Sequence, residues 1–185
     1  LDFERFLMTD FEQVVSKELT DDQKNLLASM MGKLAACDGN IDPFEADFLQ
    51  SFLGGQLGED LSSAIRQMPD LENEDIASRA SGAEETVYLF CTLLSCVDEH
   101  VDEKERETLN RYGKALGLEE KRRDELNSIA RRQVLNQCAD AMNSVPGDAD
   151  DKGRALAAVG ERIRATEAEI KEVQVKYELT VGPAV

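Results

Sequence analysis

Apolar residues recur along most of this chain at spacings of three and four, the pattern of amphipathic helices. Phe3, Phe6, Leu7, Phe11 and Val14 mark a first face. Thr20-Asp21-Asp22-Gln23 has the T-x-x-Q form of a capping box and opens a second helix, whose buried side is Leu26, Leu27, Met30, Met31 and Leu34. That helix stops near Asp38-Gly39, where glycine supplies the left-handed residue of a helix end. Asp42 then serves as N-cap, Pro43 takes the first helical position and Glu45 completes a D-x-x-E box. Phe44, Phe48, Leu49 and Phe52 form the apolar face of this helix, which Gly54-Gly55 closes. Leu57, Leu61, Ile65 and Met68 predict a short helix ending before Pro69, and Ile76 the centre of a weak one. Ser81-Gly82-Ala83-Glu84 reads as another capping box, ahead of Val87, Phe90, Cys91 and Leu94. Asp102 caps a further helix through Glu105, Leu109, Tyr112 and Leu116, stopped at Gly117.

Residues 119–145 predict one long helix with Leu126, Ile129, Val134, Cys138, Met142 and Val145 roughly on one side, broken by Pro146-Gly147. The last helix carries Leu156, Val159, Ile163, Thr166, Ile170, Val173 and Tyr177 in a heptad stripe. Two occupants suit that stripe: the preceding helix, folded back as a hairpin, or a second copy of the chain in a homodimer through residues 150–178. The predicted fold is therefore all-α. It has two related helix–acidic turn–helix halves over residues 1–118 and a C-terminal hairpin or coiled-coil extension over 119–185.

The relation between the halves lies in the turns. Asp38-Gly39-Asn40-Ile41-Asp42-Pro43-Phe44-Glu45 returns, sixty positions later, as Asp98-Glu99-His100-Val101-Asp102-Glu103-Lys104-Glu105. Both copies place acids as Asp-x-x-x-Asp-x-x-Glu with an apolar residue before the second Asp, and a spaced recurrence of this kind indicates an internal repeat.

Charge narrows the partners. The net charge is −17, with −15 falling on residues 1–118 and −2 on 119–185. So acidic a surface repels phosphate backbones, which argues against nucleic acid and for cations or basic protein surfaces. No run approaches the roughly 18 apolar residues of a membrane helix, and the acidic N-terminus does not read as a signal peptide. The sequence begins at Leu1 rather than Met, as a piece of a longer parent would. Cys37, Cys91, Cys96 and Cys138 include no C-x-x-C pair, and His100 is the single histidine, so a zinc site is not indicated and the thiols suit a reducing cytosol.

An EF-hand loop fails the test of spacing. Asp38, Asn40 and Asp42 fit its first, third and fifth places, but the sixth is Pro43 instead of Gly and the twelfth Leu49 instead of Glu. Two readings of the acids then stand side by side. In one, Asp42, Glu45, Asp102 and Glu105 only cap helices and complement their dipoles, each cap contributing about 1 kcal/mol. In the other, Asp38, Asp42, Glu45, Asp98, Asp102 and Glu105 form a cation site; all-oxygen ligands would select calcium, magnesium or manganese. Capping leaves Asp38 and Asp98 unexplained.

The phrase Leu34-Ala35-Ala36-Cys37-Asp38-Gly39-Asn40-Ile41-Asp42-Pro43-Phe44-Glu45 resembles the A-x-A-D-G-x-I-D-x-x-E signature of TerB-like tellurite-resistance proteins, over roughly residues 20–118. The second turn, followed by Leu109 and Leu116-Gly117-Leu118, resembles an altered second copy, with Glu99 where the signature has Gly. The resemblance implies an all-helical fold of two related halves, a metal-binding acidic face and a cytoplasmic stress-response role with membrane-associated partners. The motif acids it implies are the same six carboxylates.

The expectation is a non-enzymatic, acidic binding module that holds a divalent cation or docks a basic protein partner. A scaffold or oligomerisation adaptor acting through the heptad helix is the alternative. A metal-assisted hydrolase is a third reading, but no Ser or Cys nucleophile is paired with a base and no phosphate-cradling Gly loop is present.

Overall fold

A computed structural model describes residues 9–37, 39, 41–53, 61–97 and 103–179. Among them are ten helices and no strand: α1 (Asp10–Val15), α2 (Asp21–Ala35), α3 (Pro43–Leu53), α4 (Leu61–Gln67), α5 (Asn73–Arg79), α6 (Glu84–Leu94), α7 (Glu103–Ala115), α8 (Glu120–Asn143), α9 (Ala149–Arg162) and α10 (Glu167–Lys176). The all-α expectation holds. None of these helices is long and apolar enough to cross a membrane.

α6 is the hub of the first part. It packs on α1, α2, α7 and α8, while α2 also meets α3, α4, α5 and α7. Its side chains explain this, since Thr86, Val87, Tyr88, Leu89 and 91–94 are all buried around its circumference, as expected of a helix enclosed by others. The expected face of α2 is buried too, with Leu26, Leu27, Met30, Met31 and Leu34 wholly covered. Tyr112 of α7 reaches between the halves, and its hydroxyl donates to the Met30 carbonyl at 3.1 Å. Phe11 of α1 meets Phe90 of α6 edge to face, with ring centroids 6.4 Å apart. Phe3, Phe6, Leu7, Gly54, Gly55, Leu57 and residues 180–185 lie outside the described residues.

The expected box at Ser81 does not form. α6 starts later, with Ala83 as N-cap and no side-chain cap bond; Glu84 accepts instead from the Gly82 N–H at 2.8 Å. Tertiary bonds explain the shift. Gln23 Nε2 donates to the Ser81 carbonyl at 3.0 Å and Lys17 Nζ to the Gly82 carbonyl at 2.6 Å. The same Gln23 closes the Thr20 box through Oε1. One side chain thus caps α2 and sets α6 beside its first turn.

α8 packs on α6 with Leu126, Ile129, Ala130, Val134 and Leu135 buried, so one apolar cluster runs on past residue 118. Val145, expected on this face, is exposed just beyond the helix end. The last helix is corrected: it is two helices, not one. α9 ends in a Schellman turn in which Ala165 N–H donates to the Gly160 carbonyl and Arg164 N–H to the Glu161 carbonyl. Arg164 holds the left-handed conformation (φ 58°) usually given to glycine. Thr166 and Glu169 then form a capping box that starts α10. The heptad stripe is consequently folded over rather than extended. Leu156, Val159, Ile163, Ile170 and Val173 are buried as α9 and α10 pack on α8 and on each other. Thr166 leaves the stripe to become a cap. The intramolecular alternative accounts for these five residues, and the homodimer through residues 150–178 loses the apolar face on which that expectation stood.

Candidate functional site

The first acidic turn joins α2 to α3. Gly39 takes the left-handed conformation (φ 99°) expected of it. Asp42 Oδ1 accepts from the Phe44 N–H at 2.8 Å, and Glu45 Oε2 accepts from the Asp42 N–H at 3.0 Å. The Asp42 carbonyl takes the first helical bond, from the Ala46 N–H at 2.9 Å. The capping account of these two acids is therefore realised, and each spends a carboxylate oxygen on backbone N–H groups.

Glu45 is only 5% exposed and Glu105, its counterpart sixty positions on, only 7%. Buried carboxylates are rare and need partners, and both of these have them. The apolar neighbours follow the same register: Leu27 and Val87, Met31 and Cys91, Leu34 and Leu94, and Leu49 and Leu109 are buried in pairs. Of the six sequence candidates, Asp42, Glu45 and Glu105 are described. Asp38, Asp98 and Asp102, with Glu99 and His100, lie outside the described residues. Among the described residues, no group of three or more Asp, Glu, His or Cys side chains comes together in a way that could hold a metal ion.

Phe44 corrects the expected face of α3. The residue is 65% exposed, although Leu49 on the same helix is wholly buried. Phe44 occupies the second helical position, where the entering chain is still outside the core. Pro43 and Asp47 beside it are exposed as well. An aromatic residue thus stands in water at the edge of an acidic turn. Its i, i+4 spacing to Phe48 hid this in the sequence, because periodicity alone does not say where a helix begins to be covered.

The cysteines behave as packing residues in one clear case. Burial pushes the Cys91 thiol far above its ordinary pKa, which keeps it protonated and unreactive. Burial likewise pushes the Tyr112 phenol up.

No protein-family model, curated protein or solved structure matches this chain. The TerB-like resemblance accordingly rests on the residues quoted for it alone.

Proposed function

We propose that this is a non-catalytic binding module in which the acidic turn between α2 and α3 docks a basic segment of a protein partner. The observation that carries the reading is Phe44. An exposed aromatic residue two positions after Asp42 and three before Asp47 offers an apolar anchor with acids close to it in sequence, the combination that a segment with an apolar residue between Lys or Arg would fit. The charge of −15 over residues 1–118 adds long-range attraction for such a partner.

A divalent cation is the second reading. It is favoured by the paired burial of Glu45 and Glu105 and by the TerB-like resemblance, which also supplies the stress-response setting. Against it, Asp42 and Glu45 each give an oxygen to helix capping. Calorimetric titration separates the two. Docking predicts heats with Lys/Arg-rich peptides containing a central Leu or Phe, weakened by salt and by Phe44→Ser. The cation reading predicts heats with calcium, magnesium or manganese that vanish in Asp38→Asn/Asp98→Asn and ignore Phe44→Ser. If the wild-type protein binds none of these peptides at low salt, docking at Phe44 is wrong.

A further inference from the structure

α1 is six residues long and none of them is buried, whereas α6, on which it packs, has buried side chains around its circumference. Phe11, Val14 and Val15 make the inner face of α1, and all three are half-buried against the core. The helix is fastened at that face and at its first turn. The Phe11 ring stands edge-on to Phe90, with centroids 6.4 Å apart. The Thr86 hydroxyl donates to the Val14 carbonyl at 2.8 Å, and Arg132 Nη2 donates to Asp10 Oδ2 at 3.2 Å. Past the helix, Lys17 Nζ donates to the Gly82 carbonyl at 2.6 Å, which pins the chain just ahead of the Thr20 cap of α2.

Two clefts, of about 620 and 480 Å³, adjoin α1. The larger runs along α8 towards Glu172 and Val173 of α10, the smaller towards Glu85 of α6. Asp10, Ile129 and Arg132 line both, so the contact between Asp10 and Arg132 is the partition between them. Lifting α1 removes that partition and joins the clefts into one groove along α8. The polar groups that α1 would leave behind are not stranded. Arg132 also meets Glu172 at 3.5 Å, and the Thr86 hydroxyl passes to the water that replaces α1. A helix of six residues has no stability of its own, so detachment and unravelling of α1 are one event. Its cost is set by three half-buried side chains instead of by a core, which places it below the cost of opening α6.

We propose that α1 is a strap that opens while the rest of the protein stays folded. It pivots at Lys17–Leu19, joins the two clefts and uncovers Phe90 and the Thr86 hydroxyl. Phe11 is the residue that holds it closed, because it supplies the largest apolar side chain of the inner face and the ring contact to α6. The strap is separate from the acidic turn at Phe44 and stands or falls independently of it.

The test is native-state hydrogen exchange of the full chain, read by mass spectrometry on peptides spanning residues 11–16 and 86–94. The α1 amides should exchange about tenfold or more slower than an unstructured chain, yet about a hundredfold or more faster than those of α6. Phe11→Ala should speed α1 exchange by about tenfold and leave α6 exchange unchanged. Phe11→Leu, which keeps an apolar side chain against Phe90, should restore part of the difference. Circular dichroism should show both variants folded. Exchange of α1 as slow as that of α6 would make α1 part of the global unit, and exchange without any protection would mean that it never closes. Either result overturns the proposal, as does a Phe11→Ala variant that speeds both peptides equally or neither.

Discussion

Replacing Glu169 by Ala removes the carboxylate that ties α10 to α8. Arg131 donates to both its oxygens, and the Thr166 N–H donates to Oε2 at 2.7 Å. The Glu169 side chain is 9% exposed and that of Arg131 20%, so the substitution strands a largely buried guanidinium. Breaking a fully buried pair costs about 3–5 kcal/mol and breaking an exposed one about 0–1 kcal/mol. The partial exposure of Arg131 places Glu169→Ala between them, at about 2–3 kcal/mol. Urea melts of the wild type, Glu169→Ala, Arg131→Ala and the double variant form a cycle, with an expected coupling of about 1–3 kcal/mol. Acid adds a second readout. Burial of Glu169 works against its ionisation, but the Arg131 guanidinium, the Ser128 hydroxyl and the Thr166 N–H together outweigh it and hold the carboxyl below its ordinary value. A folded pKa below the unfolded one means that this stabilisation is complete above about pH 4.5 and is lost as pH falls through the folded value. Glu169→Gln should therefore flatten that part of the acid limb. A Glu169→Ala variant within about 0.5 kcal/mol of wild type, or additive single effects, would refute the docking of α10 described above.

Tyr112→Phe removes a buried donor from the Met30 carbonyl and should cost about 1 kcal/mol in urea melts; no loss would mean that Tyr112 does not bridge the halves. Asp42→Ala deletes the α3 cap and should also cost about 1 kcal/mol, whereas Phe44→Ser, at an exposed position, should stay within about 0.5 kcal/mol of wild type. Iodoacetamide labelling read by mass spectrometry should leave Cys91 unmodified in the native protein and modified in urea, because burial keeps its thiol protonated and covered; equal labelling of Cys91 and Cys37 in the native state would contradict the packing of α6.

Much of the candidate site was legible because capping is a local matter. Asp42, Pro43 and Glu45 lie within one helical turn, and their hydrogen bonds depend only on neighbours in sequence. The Thr20–Gln23 box and the Gly39 stop are of the same kind. Thr166-Glu167-Ala168-Glu169 carries an equally plain box, but the heptad pattern running across it masked the signal. Ser81 shows the converse, a proper local motif overridden when Gln23 and Lys17 took its backbone carbonyls.

The sequence alone determined that the chain is helical, where most helices start and stop, and that two acidic turns recur at a fixed interval. Periodicity and capping act over a few residues, and that range is enough for such features. Only the tertiary structure decided which apolar faces are covered. It folded the C-terminal stripe onto α8 and left Phe44 in water. Those outcomes depend on contacts between segments far apart in the chain, and residue spacing carries no record of which faces will meet.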